Sequence, residues 1–188
     1  YAISTTHNSF TDNVFVHEFG HSFAGLADEY YNSSVAYNEF YPSGVEPVEP
    51  NITALLNTKK LKWKDFVSPG IDIPTEWGKE AIDSLEIEYN KMSSTMHHKI
   101  DSLTSLQINK EKINQIRRQW RDKLETIRNK IEKVESEYSY LENKVGAFEG
   151  AGYAAKGLYR PELDCIMFSN RNQRFCKVCE QAIKRMIF

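Results

Sequence analysis

The chain lacks any apolar run near the roughly 18 residues that a bilayer-spanning helix needs. Its first residues, YAISTTHNSF, lack the charged and apolar regions of a signal peptide. A dominant charge is missing too: 24 Lys and Arg against 26 Asp and Glu leave a formal net charge of -2. Such a balance creates no field that recruits nucleic acid, so no nucleic-acid partner and no transmembrane segment are expected. Proline is scarce and localised, with all but one of the six between residues 31 and 78. Lys79 to Val145 contains neither proline nor glycine, and there are only three cysteines in the chain. What is abundant is core material: 40% of the 188 residues are hydrophobic, with 10 Tyr, 10 Phe and 3 Trp, enough for one ordinary domain. The abrupt, strand-like YAIST opening, a short step before a helical motif, leads us to expect a fragment of a longer protein.

Residues 31 to 78 read as loops with short elements. From Lys79 onward, apolar residues recur at alternating three and four spacings: Ile82, Leu85, Tyr89, Met92, Met96, Ile100 and Leu103. A second stripe runs through Ile113, Ile116, Trp120, Leu124, Ile127, Ile131, Val134, Tyr138, Leu141 and Val145, with one stutter-like step. TSLQIN separates the two. This pattern predicts a long antiparallel helical hairpin over residues 79–145, its tip near Ser105 to Asn109 and each arm on the order of 40–50 Å. A glycine- and aromatic-rich stretch from Gly146 and a closing helix follow, so residues 1–78 and 146–188 are expected to form one domain into which the hairpin is inserted. The fold class is α+β, mainly helical. The hairpin serves either as a spacer or packing arm or as an adaptor for a partner the sequence does not identify.

The stretch VFVHEFGHSFAGLADEY, Val14 to Tyr30, carries the chemistry. Residues four apart share a helix face, so His17 and His21 can offer two imidazole nitrogens to one metal, while Glu18 can reach a water there without ligating. Zinc lowers the pKa of a bound water toward about 7, and a neighbouring carboxylate can take the proton as a carbonyl is attacked. The competing possibility is a core helix that carries two histidines by chance. Val14, Phe15, Val16, Phe19 and Phe23 make the rest of the helix apolar, as for a catalytic helix crossing a core. Unpaired polar groups buried there would cost several kcal/mol, about 2–7 per group, which favours the metal. A catalytic zinc needs a third protein ligand. Gly25 can end the helix, and Asp28 follows where the reversed chain can return its carboxylate to the metal. Glu29 is the adjacent competitor, and a salt bridge at either acid is the third possibility. His7 precedes the helix; His97 and His98 fall in the hairpin.

HEFGHSFAGLADEY, together with FEGAGYAAKGLYRPELDCIMFSN and FCKVC, resembles the bacterial immunoglobulin A peptidase family, M64, of metallopeptidases. The resemblance covers residues 1–78 and 146–188. It implies a metzincin-like zincin domain, here lacking part of its N-terminal sheet, with one catalytic zinc ion. It also implies a methionine-bearing turn beneath the metal, for which Met167 in the CIM segment stands. Metzincins place the glycine three and the third ligand six residues after the second histidine; here the offsets are four and seven, with the Gly25 to Asp28 step of three retained. The resemblance further implies a protein or peptide substrate, immunoglobulin among the candidates, and a secreted, cell-surface or periplasmic location in a bacterium.

Tyr153 or Tyr159 could supply a hydroxyl to an oxyanion or line a substrate cleft. Arg160 could meet a substrate carboxylate or form a structural salt bridge. Cys165, Cys176 and Cys179 are too few for a four-thiolate zinc site, and no histidine is near in sequence to complete a mixed one. A disulfide from Cys165 to Cys176 or Cys179 fits the exported enzymes that the resemblance implies; three reduced, buried thiols are the alternative. Asn32 and Asn51 match a glycosylation pattern that a bacterial source would make meaningless. Two functions therefore stand at this point. One is a zinc endopeptidase with ligands His17, His21 and Asp28 and base Glu18. The other is a binding or scaffold protein whose helical hairpin is the working part and whose metal site is structural or degenerate.

Overall fold

In the computed structural model, which describes residues 11–31, 41–169 and 173–188, the motif stretch forms helix α1, Thr11–Ala24. The strand-like opening, His7 and Asn32 lie outside the described residues. Helix α1 stops because Gly25 adopts φ +61, a left-handed conformation that costs a side-chain-bearing residue about 1–2 kcal/mol. The Gly25 amide still donates to the His21 carbonyl at 3.1 Å, and the Leu26 amide reaches back to Gly20 at 3.3 Å. The chain then reverses, burying Leu26 to Glu29. Gly20 sets how closely α1 sits on the core, since a β-carbon there would stand 3.0–3.2 Å from Met167, Phe175 and Leu26.

Among the described residues helix α1 is not enclosed on all sides. Phe15, Val16 and Phe19 are exposed, and Phe19 stacks on Phe23 with ring centroids 4.8 Å apart. The expectation of an enclosed apolar helix is corrected here: among the described residues Gly20 and Ala24 meet the core while Phe15, Val16 and Phe19 stay exposed. The loop that follows in the described chain is pinned by Lys62, whose ammonium donates to the carbonyls of Pro47, Glu49 and Ile52 at 2.6–2.7 Å. Those bonds fix the approach of Asn51, which is fully buried.

Strands β1, Phe148–Ala151, and β2, Ala154–Arg160, pair antiparallel with Ala151 opposite Ala154. Gly152 and Tyr153 make the two-residue turn, both at positive φ (+55 and +66), as a primed hairpin turn demands. For a bulky residue such as Tyr153 that conformation is strained, and the strain sits next to the histidines. Isolated bridges join Tyr31 to Tyr153 and Thr53 to Tyr159. The C-terminal helix, Lys177–Ile187, is capped by Cys176. Leu26, Trp63, Val145, Ile166, Met167 and Val178 share the apolar core of this unit.

Two further helices, α2 (Lys79–Ser105) and α3 (Lys110–Glu137), pack against one another, with the C-terminal helix then being α4. The Asn109 side chain caps α3 by accepting from the Glu111 amide at 2.8 Å. Ile82 and Ile100 on α2 and Ile113, Leu124 and Ile127 on α3 are buried, while Arg128 donates to the Tyr89 hydroxyl at 3.1 Å. The chain divides into one unit of Tyr1–Trp77 with Leu141–Phe188 and another of Gly78–Tyr140. Leu141 and Val145 continue the second apolar stripe by spacing, yet α3 ends at Glu137 and both belong to the first unit. There Val145 is fully buried beside Trp63, whose indole donates to the Gly146 carbonyl at 2.7 Å. Among the described residues the fold is α+β and mostly helical, with four α-helices and one two-stranded sheet. Among the described residues no helix is long and apolar enough to cross a membrane.

Candidate metal centre

The one-turn spacing of His17 and His21 places their rings edge to face at 4.7 Å. Each ring is oriented by a backbone carbonyl. His17 Nδ1 donates to Ile166 O at 2.9 Å, and His21 Nδ1 donates to Leu26 O at 2.6 Å. A proton on each Nδ1 leaves each Nε2 as a lone pair, and the two Nε2 atoms face one another at 3.0 Å. Asp28 Oδ1 completes the group, 2.9 Å from His17 Nε2 and 3.3 Å from His21 Nε2. That oxygen is buried and accepts no geometrically sound hydrogen bond. Three inward-facing lone pairs at this spacing repel unless a cation lies among them. Tetrahedral zinc with bonds of about 2.0–2.1 Å sets neighbouring donors roughly 3.3 Å apart, so the three atoms fit such an ion.

The same crowding shifts the titration of all three. Burial lowers the His17 pKa, but the Asp28 carboxylate and the Ile166 carbonyl outweigh it and the net shift is upward from 6.5. For His21 the Asp28 carboxylate is the largest influence and burial only partly opposes it, again raising the pKa. Burial would raise Asp28, yet the imidazoles of His17 and His21, in the protonated form they take when no metal is held, and the Tyr153 hydroxyl on Oδ2 hold it well below the usual carboxylate range. Protons and metal compete for the imidazoles. Zinc affinity is therefore expected to be steady above the raised histidine values and to fall by up to about a hundredfold per pH unit below them, one factor of ten for each ring. Equilibrium dialysis between about pH 5 and 8 checks this; equal retention at both ends would contradict it.

Tyr153 donates from its hydroxyl to Asp28 Oδ2, and Tyr30 donates to the Tyr153 hydroxyl at 3.2 Å. The strained turn residue thus orients the carboxylate, to which its hydroxyl is committed in this structure. Tyr30, which sequence reasoning passed over, lines a cleft of about 300 Å³ with His17, Glu18, Val14, Ile166, Phe168 and Ser169. Met167 is fully buried under Gly20, and its carbonyl accepts from the Glu29 amide at 2.8 Å. Tyr159 pairs with Glu149 and bridges to Thr53 without being brought to the imidazoles. Arg160 is 1% exposed and lies 4.2 Å from the Phe168 ring centroid and 4.9 Å from that of Trp77, so it is not presented to a substrate. His97 and His98 lie on α2.

Glu29, the competitor for third ligand, turns the other way and is fully buried against Asn51 and the cysteines. None of the three cysteines is in a disulfide: Cys165 Sγ and Cys179 Sγ are 3.9 Å apart, beyond the roughly 2.05 Å of such a bond. Asn51 matters for its amide. Its Oδ1 accepts from the Ala27 amide at 2.8 Å, and its Nδ2 donates to the Ala27 carbonyl at 2.9 Å and to Glu29 Oε1 at 3.0 Å. It clamps the reversed segment that delivers Asp28. Asn51→Ala strands both polar groups of the buried Ala27 peptide, at about 1–3 kcal/mol for each. A lower urea midpoint together with weaker zinc binding is expected, and an unchanged midpoint would count against the clamp.

The family model described as IgA peptidase M64 matches residues 1–187, running across the helical unit as well as the segments on either side. The chain belongs to that family. M64 is a family of metallopeptidases, so peptide-bond hydrolysis is the chemistry against which the centre has to be read. No curated protein matches the chain.

Proposed function

We propose that this M64 member is a zinc-dependent endopeptidase in which His17, His21 and Asp28 hold the metal and Glu18 is the general base. The reading is carried by one observation: two imidazole nitrogens and one carboxylate oxygen converge at 2.9–3.3 Å, with both outer imidazole nitrogens already committed to backbone carbonyls. When bound, zinc supplies Lewis acidity that polarises the scissile carbonyl and acidifies a water. Glu18, next to His17 on the cleft wall, takes the proton of the attacking water and returns it to the leaving nitrogen. The Ile166 and Leu26 carbonyls keep the imidazoles turned inward. Tyr153, backed by Tyr30, fixes the Asp28 oxygen that faces away from the rings. Phe168 and Val14 offer the cleft an apolar wall for a substrate side chain. Met167 floors the site, consistent with a metzincin-like arrangement.

The substrate is a protein chain, and immunoglobulin A enters as a substrate to be tried because the family carries its name. A purely scaffolding role for the helical unit fits less well, since it gives no use to a carboxylate in the cleft beside two inward-facing imidazoles. The test is chelation and readdition. Hydrolysis of an unfolded protein substrate should vanish on dialysis against a chelator and return with stoichiometric zinc. Activity that persists in metal-free protein would reject the proposal.

A further inference from the structure

Away from the imidazole centre, four buried side chains that the proposed chemistry does not use meet at one point. Glu29, Cys165, Cys176 and Cys179 each bring one ligand atom into a group whose members all lie within 4.8 Å of one another. Each of the four residues is 0% exposed. We propose that they form a second, structural site for a divalent cation with zinc's preference for thiolate and carboxylate donors.

The distances fit an ion better than they fit either a disulfide or loose thiols. Zinc–sulfur bonds of about 2.3 Å in a tetrahedral site put sulfurs roughly 3.8 Å apart and a sulfur roughly 3.5 Å from a carboxylate oxygen. Cys165 Sγ and Cys179 Sγ are 3.9 Å apart, and Glu29 Oε1 is 3.2 Å from Cys179 Sγ and 3.8 Å from Cys176 Sγ. The sulfurs receive backbone support of the kind thiolates use: the Cys176 amide points at Cys165 Sγ at 3.2 Å, and the Cys179 amide at Cys176 Sγ at 3.5 Å. The second Glu29 oxygen, Oε2, is buried with no hydrogen-bond partner among the described residues. A disulfide between Cys165 and Cys179 would leave that carboxylate and the Cys176 thiol facing each other in an apolar core. A bound cation pairs both, and the guanidiniums of Arg160 and Arg174 lie within electrostatic reach of Glu29 and of Cys165 and Cys176 to offset the remaining negative charge.

The four ligands come from three segments: the chain after the helix reversal, the methionine turn and the start of α4. Loading the site displaces the thiol and carboxyl protons to solvent and needs no oxidant or reductant. It locks together the residue next to Asp28 and the turn whose Ile166 carbonyl orients His17, so it supports the imidazole centre without joining it.

The test separates the two sites. In His17→Ala/His21→Ala protein prepared with zinc and no chelator, about one equivalent should remain, against about two in the parent. Cobalt substitution of that double variant should give the near-ultraviolet thiolate-to-cobalt charge-transfer absorption, and modifying its thiols with an organomercurial should release the metal. Should the double variant fail to fold, zinc-edge X-ray absorption of the parent protein supplies the second reading, with sulfur neighbours at about 2.3 Å expected. Three freely reactive thiols with no retained metal, an intact mass two hydrogens lighter, or nitrogen and oxygen scattering alone would each overturn the site.

Discussion

Glu18→Gln protein is expected to fold and to bind zinc like the parent while hydrolysing peptide about a hundredfold to ten-thousandfold more slowly. Glutamine keeps the size of the side chain but cannot take a proton from water at neutral pH. None of the proposed ligands changes, since His17 and His21 are oriented by the carbonyls of Ile166 and Leu26, and Asp28 by Tyr153. The loss should therefore fall on kcat, with KM for a small peptide close to that of the parent. Parallel measurements of zinc content and initial rates decide the matter. A variant with full activity removes Glu18 from the chemistry. One that has lost its zinc shows that Glu18 acts through the metal site's assembly.

Asp28→Ala should do the opposite, striking the metal first. It removes one of the three proposed donors and also strands the hydroxyl chain of Tyr153 and Tyr30 that now ends on Asp28 Oδ2. Zinc affinity at the imidazole centre is expected to fall by at least about a hundredfold, with activity following the metal. Asp28→Asn, which keeps shape and one oxygen acceptor but not the charge, should fall between the two. Competition against a chromophoric chelator measures the affinity. Undiminished binding in the alanine variant would remove Asp28 from the ligand set.

How far the sequence alone reaches differs residue by residue. His17, Glu18 and His21 are legible because helical periodicity is local: four residues apart means one face, whatever the rest of the chain does. Gly25 is legible for a similar reason, because a helix end needs a residue that tolerates positive φ, and Asp28 then falls where a reversed chain can return. The break at TSLQIN lies where α2 gives way to α3, since Asn109 caps the next helix and the apolar spacing resets there.

Other features are not local. The Ile166 and Leu26 carbonyls that orient the imidazoles are backbone atoms, which leave no residue signature. Asn51 matches a short surface motif but folds to 0% exposure as a clamp, because its amide answers both polar groups of the Ala27 peptide. Phe15, Val16 and Phe19 are apolar without being enclosed, and composition cannot say which apolar face finds a neighbour. Leu141 and Val145 keep the heptad spacing after the helix has ended, so spacing extends the stripe beyond its element. Glu29 joins the three cysteines from a distant part of the chain, which counting cysteines and nearby histidines cannot reveal.

Diffraction measured on either side of the zinc absorption edge, from crystals of catalytically active protein, tests the central claim most directly. An anomalous peak is expected about 2.0–2.2 Å from His17 Nε2, His21 Nε2 and Asp28 Oδ1 together, with its remaining coordination position open toward the Glu18 cleft. Active protein in which no zinc lies among those three atoms would contradict it.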